Sequence, residues 1–111
     1  GPLSPLAQGD PSVLMRDEEA RVRILDGTFT GIDQRAGAFF QSYGMNVTEV
    51  GSAPEAYGST VIILYGPKLY TLRWMQGVFG ISNRQIKFSP DPSSSVDIEI
   101  RIGSDIAGSI P

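Results

Sequence analysis

Residues Val96 to Gly103, VDIEIRIG, alternate without a break. Successive side chains of an extended chain leave opposite faces, so Val96, Ile98, Ile100 and Ile102 point one way and Asp97, Glu99 and Arg101 the other. Such strict alternation demands a strand with one buried and one wet face, and therefore a sheet covered on one side. Val22, Ile24 and Leu25 supply the apolar side chains of a shorter strand of the same design, with Arg21 and Arg23 on its wet face. Their charges complement Asp97 and Glu99, and opposed pairs on neighbouring strands contribute ~0.2–1 kcal/mol each. The two strands are predicted to be adjacent, although they lie near opposite ends of the sequence.

Between them the punctuation is regular. Asp26-Gly27 breaks the first strand, because aspartate and glycine favour turns over ladder positions. Thr30 stands where a helix N-cap belongs, with Asp33 three residues on, a capping-box spacing with aspartate in place of glutamate. Ile32, Ala36, Phe39, Phe40 and Tyr43 follow at helical intervals, and Gly44 sits at the C′ position, where a left-handed backbone suits glycine. Asn46–Val50 reads as a second strand and Gly51–Gly58 as a loop. Ser59–Tyr65 is a nearly continuous apolar run, the look of a strand with neighbours on each side. Gly66-Pro67 opens a second helix with proline at its favoured first position. Leu69, Leu72, Met75 and Phe79 form its core stripe, and Gly80 ends it. Gln85–Ser89 is a short fourth strand, and Pro90–Ser95 a loop.

The order β-α-β-β-α-β(-β) predicts an α+β fold. The expected form is a ferredoxin-like two-layer α/β sandwich, with both helices on one face of a mostly antiparallel sheet of four or five strands. With 111 residues the chain holds one domain at most. Residues 1–20 read as a flexible arm or linker with a short helical turn around Leu14 to Glu19. Gly1-Pro2 within it has the look of a protease-cleavage scar. Residues 21–106 form the domain, and residues 107–111 a tail.

Several function classes drop out. The net charge is −3 and the basic residues are scattered, which argues against nucleic acid as a partner. Cysteine and histidine are both absent, so disulfides, thiolate metal sites and the commonest general base are excluded. The longest apolar block, Val61 to Tyr65, is far shorter than the roughly 20 residues of a membrane-spanning helix, so no direct membrane insertion is expected. Asp97, Glu99 and Asp105 have the chemistry of an acid–base pair or a divalent-cation site. With Arg23 and Arg101 beside them they read instead as a solvated ion-pair face. No catalytic residue, metal site or cofactor is predicted, and an independent enzyme is the least supported reading.

Two places suit a ligand or partner. Tyr70 and Trp74 lie four apart on the second helix, on a side distinct from Leu69, Leu72 and Met75, with Val78 continuing the row. Exposed aromatics at that spacing stack on sugar rings or on a partner surface. The competing reading is a helix buried over a wide arc. The other place is the turn carrying Thr28, Phe29 and Thr30, because amides at a helix N-terminus hold anions. Its spacing matches neither a dinucleotide-binding glycine motif nor a P-loop, and Asp26 would repel a phosphate. The turn therefore reads first as a folding element.

EARVRILDGT, a helix closing in QSYGMNV, and the terminal DIEIRIGSD resemble the C-terminal domain of LytR-CpsA-Psr proteins. Members of that family begin with a strand ending Val-Leu-Asn-Gly-Thr and finish on one ending Leu-Gly-x-Asp. The resemblance covers roughly Glu19 to Ile106. Here Asp26 stands in place of the usual Asn, Ile32-Asp33 in place of Leu-Ala, and Ile102 in place of Leu. The resemblance implies an extracytoplasmic setting in the cell envelope. It also implies a non-catalytic accessory module of a membrane-anchored protein whose separate catalytic domain attaches glycopolymers to peptidoglycan. The partners implied are cell-wall glycan, peptidoglycan or an envelope protein, and the acidic balance favours a neutral glycan or a protein over an anionic polymer. The alternative is a structural or oligomerisation module that positions or regulates the catalytic neighbour.

Overall fold

The computed structural model describes residues 10–111, so the first nine residues of the expected arm, with the expected scar at Gly1-Pro2, lie outside the described residues. The elements are α1 (Pro11–Glu18), β1 (Val22–Asp26), α2 (Asp33–Ser42), β2 (Val47–Ser52), β3 (Val61–Leu64), α3 (Leu69–Phe79), β4 (Ile86–Phe88), β5 (Ile98–Ile102) and α4 (Ser104–Ala107). A 3-10 turn, Asn83–Gln85, leads into β4. Among the described residues no helix is long and apolar enough to cross a membrane.

One sheet holds all five strands in the order β2-β1-β5-β3-β4. β1 runs parallel to both β2 and β5, and β4 runs parallel to β3; only β3 and β5 pair antiparallel. This corrects the ferredoxin-like, mostly antiparallel sheet expected from the element order. The physical reason is local. Each helix is a crossover that returns the chain, in the same direction, beside the strand it left. The result is two adjacent parallel βαβ units rather than two interleaved ones, and β5 enters between them.

The alternation is obeyed in detail. β1 and β5 lie side by side as expected, with Val22 opposite Ile98, Arg23 opposite Glu99 and Ile24 opposite Ile100. Val22, Ile24, Ile62, Ile98, Ile100 and Ile102 are completely buried and share one apolar cluster with Ala36 and Phe40 of α2 and Leu72, Trp74 and Met75 of α3. The Phe40 ring meets Trp74 edge-on at 6.1 Å and Phe79 at 5.9 Å, geometry that adds to simple burial. Along β2 the register slips between the partners of Val22 and Arg23, a bulge that brings Glu49 opposite Arg23.

The helices differ from expectation at their starts. α1 begins on proline behind Asp10, whose carboxylate accepts from the Ser12 amide at 3.0 Å. Its Met15 and the following Ala20 sit in the core, so residues 11–20 are packed against the sheet's covering layer. α3 begins at Leu69, two residues beyond Pro67, and Leu69 is exposed while Thr71 and Trp74 join Leu72 and Met75 on the buried side. Both glycine stops stand where expected: Gly44 has φ +98° and Gly80 has φ +69°.

Candidate functional site

Asp26, the last residue of β1, is buried and its carboxylate gathers the start of α2. One oxygen accepts from the Thr28 amide at 2.7 Å and the Thr28 hydroxyl at 2.6 Å. The other accepts from the amides of Thr30 (3.1 Å), Gly31 (2.8 Å) and Ile32 (3.2 Å). Thr30 is therefore not the cap expected of it: its hydroxyl shares a 2.7 Å hydrogen bond with that of Thr28, and Ile32 holds the N-cap position without a side-chain bond. A full negative charge satisfies converging amides better than a neutral hydroxyl does, and it also complements the helix dipole. Burial alone would raise the Asp26 pKa. The bonds from the Thr28 side chain and amide, and from the Gly31 and Ile32 amides, outweigh it and hold the carboxyl below its ordinary 3.8. The amides that suggested an anion site are thus already filled from inside the chain.

The same turn holds Phe29 in an unusual state. Its φ is +56° and the residue is 56% exposed. A bulky residue in the left-handed region costs on the order of 1–3 kcal/mol, and here no burial offsets it. The bonds of Asp26 to Thr28 and Thr30 fix the backbone on both sides, so the ring projects from a rigid base. Thr30 and Gly31 are exposed beside it.

Neighbouring segments complete this end of the sheet. The Gly27 amide donates to Ile102 O at 2.8 Å, the Tyr57 amide to Gly27 O at 2.8 Å, and the Ser104 amide to Tyr57 O at 3.1 Å. A Cβ on Gly103 would lie 2.6 Å from the Ser59 carbonyl carbon, so only glycine lets the chain pass there. Asp105 accepts from the Thr60 amide at 3.0 Å, the Thr60 hydroxyl at 2.6 Å and Gln85 Nε2 at 3.2 Å. The Asp-Gly-Thr and Gly-Ser-Asp stretches that mark the two ends of the sequence pattern therefore form one junction of β1, β3 and β5.

The second helix is less favourable than its sequence promised. Trp74 is only 4% exposed and lies among Phe40, Tyr43 and Phe79, so the exposed Tyr70–Trp74 row is corrected. The indole fills the gap between α2 and α3, and the wide-arc reading prevails. Tyr70 remains 44% exposed. Its amide donates to a Glu18 carboxylate oxygen at 3.0 Å, and the Thr71 amide and hydroxyl donate to the other at 2.9 and 2.8 Å. Tyr70 and the Thr28–Thr30 turn also stand at opposite ends of the sheet. Each follows the carboxyl end of its strand, but β3 runs antiparallel to β5 whereas β1 runs parallel to it.

On the other sheet face Glu99 is only 3% exposed, held by Arg23 Nη1 and Arg101 Nε at 2.6 Å each. Arg23 also donates to Glu49 at 2.9 Å and to Ser95 at 3.0 Å, and Ser95 donates to Glu49 at 2.8 Å. Arg101 Nη1 donates to the Tyr57 hydroxyl at 2.6 Å. The pairs of Glu99 with Arg23 and Arg101 are those expected, whereas Arg23–Glu49 is an addition and Asp105 lies apart. The face is corrected from solvated to partly sealed: long arginine stems and the Tyr57 loop cover the carboxylate. Beside it Arg21 forks onto Asp97, and its hydrogen bond holds the Asp97 pKa below normal. Glu49 and Glu99 are matched by Arg23 and Arg101, so this face offers paired carboxylates rather than a free acid and base. Among the described residues no buried side-chain polar atom lacks a partner.

A model of the protein family described as "LytR cell envelope-related transcriptional attenuator" matches residues 19–105. No curated protein and no solved structure matches the chain. The matched span runs from the residue after α1 to Asp105, and so takes in all five strands and the junction at the Phe29 end.

Proposed function

The chain belongs to the LytR C-terminal domain family, a cell-envelope-associated accessory domain, and from that premise we propose that it contacts cell-wall glycan, peptidoglycan or an envelope protein through the Thr28–Phe29–Thr30 turn. In this reading the domain works outside the cytoplasm, without chemistry of its own, within a protein that attaches or organises cell-wall glycopolymers. The supporting observation is Phe29: an exposed aromatic ring, held at a costly backbone angle by a buried carboxylate, with threonine hydroxyls on either side. Strain kept at an exposed position, where it adds nothing to packing, concentrates at binding sites. An aromatic face with nearby hydroxyls suits a sugar ring, which presents axial C–H groups and equatorial hydroxyls.

Co-sedimentation with purified peptidoglycan tests this. Wild type and Tyr70→Ala are expected in the pellet and Phe29→Gly in the supernatant. Glycine accepts the left-handed backbone, so the loss would report the missing ring rather than a distorted turn. Equal retention of Phe29→Gly and wild type would sink the reading.

A further inference from the structure

β4 is an edge strand, paired only with β3, and beside it lies an apolar pocket that the Phe29 turn does not touch. Leu64, Tyr65, Leu69, Phe88 and Pro90 line about 190 Å³ of it. Phe88 is 71% exposed and pairs across to Leu64, a core residue, so the apolar sheet face continues past the start of α3 to the open edge. The pocket is smaller than the ~300–1,000 Å³ typical of small-molecule sites, which matches one large side chain rather than a whole ligand.

Acidic groups flank the pocket, with Asp97 Oδ1 close to Gly66 and Asp91 next to Pro90, while the charges on β4 and the turn before it are basic. Lys87 and Arg84 are exposed at this edge, and neither makes an ion pair among the described residues. Lys68 stands at the pocket's other side, near enough to Asp97 to help lower its pKa. Asp91, in the following loop, turns its carboxylate to the Ser93 amide at 3.0 Å. In a chain of net charge −3, Lys87 lies on this edge and Lys68 across the pocket from it, towards Asp97. We propose that the β4 edge is a docking site for an extended, acidic peptide segment of a partner protein, paired to the free backbone of β4 with one large apolar side chain in the Leu64–Phe88 pocket. Strand addition supplies main-chain hydrogen bonds, the pocket supplies selectivity, and the basic residues of β4 and its leading turn select charge. Two copies paired antiparallel with Lys87 opposite Lys87 would set like charges together, which works against a homodimer in that register.

The experiment uses the full chain and a fluorescent short peptide of alternating glutamate and valine with one central phenylalanine, followed by anisotropy. The same peptide with lysine for every glutamate is the control. The acidic peptide is expected to bind and the lysine peptide not. Lys87→Glu combined with Arg84→Glu, and separately Phe88→Ala, should each weaken binding about tenfold or more, while Phe29→Gly leaves it unchanged. Phe88, Lys87 and Arg84 are exposed, so these variants keep their core. Amide shifts should centre on residues 86–88 and Leu69. Equal binding of both peptides, binding of neither, shifts centred elsewhere, or indifference to Phe88→Ala would each overturn the proposal. A concentration-dependent dimer abolished by Phe88→Ala would overturn it too, and assign the edge to a second copy.

Discussion

Asp26 and Glu18 have the same task at the starts of α2 and α3, where the first amides of a helix lack intrahelical partners. Asp26 acts from the strand just before, six residues from Ile32, while Glu18 acts from another helix, 53 residues from Thr71. Asp26 is buried and takes five donors; Glu18 is half-buried and takes three. The first cap exists as soon as its own strand-turn-helix forms. The second exists only after α1 has docked, which makes α1 an energetic part of the domain. Both positive helix ends are occupied by the chain's own carboxylates, and neither is open to an external polyanion.

Asp26→Ala should have the largest effect, about 3–5 kcal/mol by urea unfolding, because it leaves five donors without their acceptor, the buried Ile32 amide among them. Asp26→Asn should cost roughly 1–2 kcal/mol, since one oxygen remains but an NH₂ group now faces donors. A loss for Asp26→Ala no larger than an ordinary cap's ~1 kcal/mol would reduce Asp26 to the status of any exposed N-cap. Acid sharpens the same point. The folded pKa of Asp26 is depressed, so its contribution is fully present above the ordinary 3.8 and fades as pH falls below it. The stability gap between wild type and Asp26→Asn should therefore close on acidification, and a gap that held constant would contradict the ionised clamp.

Glu18→Ala comes next, at about 1–2 kcal/mol. Combined with Thr71→Val in a double-mutant cycle it should show a coupling of ~0.5 kcal/mol or more, whereas strict additivity would mean that the remote cap contributes nothing. Phe29→Gly should change stability least, by under ~1 kcal/mol, because relief of the left-handed strain offsets the added freedom of the unfolded chain. A large loss there would make Phe29 a packing residue.

The sequence displayed some of this and hid the rest for identifiable reasons. The period-2 pattern of Val22–Leu25 and Val96–Ile102 is a local property, and it disclosed both the core face and, through opposed charges, the neighbour. Strand order is not local: the apolar run at Ser59–Tyr65 reads the same with either direction of partner, so the parallel pairing of β3 and β4 went unseen. Two adjacent parallel crossovers use the two helices without interleaving the strands. Trp74 was ambiguous because an aromatic on the rim of a helical stripe is buried or bare according to what docks there, and α1 widens the covered arc. Asp26 left a readable trace, an aspartate with threonine two residues on, the pattern of an Asx-turn. Glu18 left none, since nothing in the stretch around it refers to α3.

β5 follows the other four strands in the sequence yet holds the centre of the sheet. Without it β2-β1 and β3-β4 are separate two-stranded ribbons, a size that is marginal in water. The assembly must therefore wait for contacts of long range, such as Arg23 with Glu99 across 76 positions, and that loop closure slows the search. Meanwhile the inner edges of β1 and β3 stand open, apolar and ready to pair wrongly. An amino-end-first arrival of the chain completes the sheet only once Ile102 is free, so the domain stays open to mispairing until its last strand arrives.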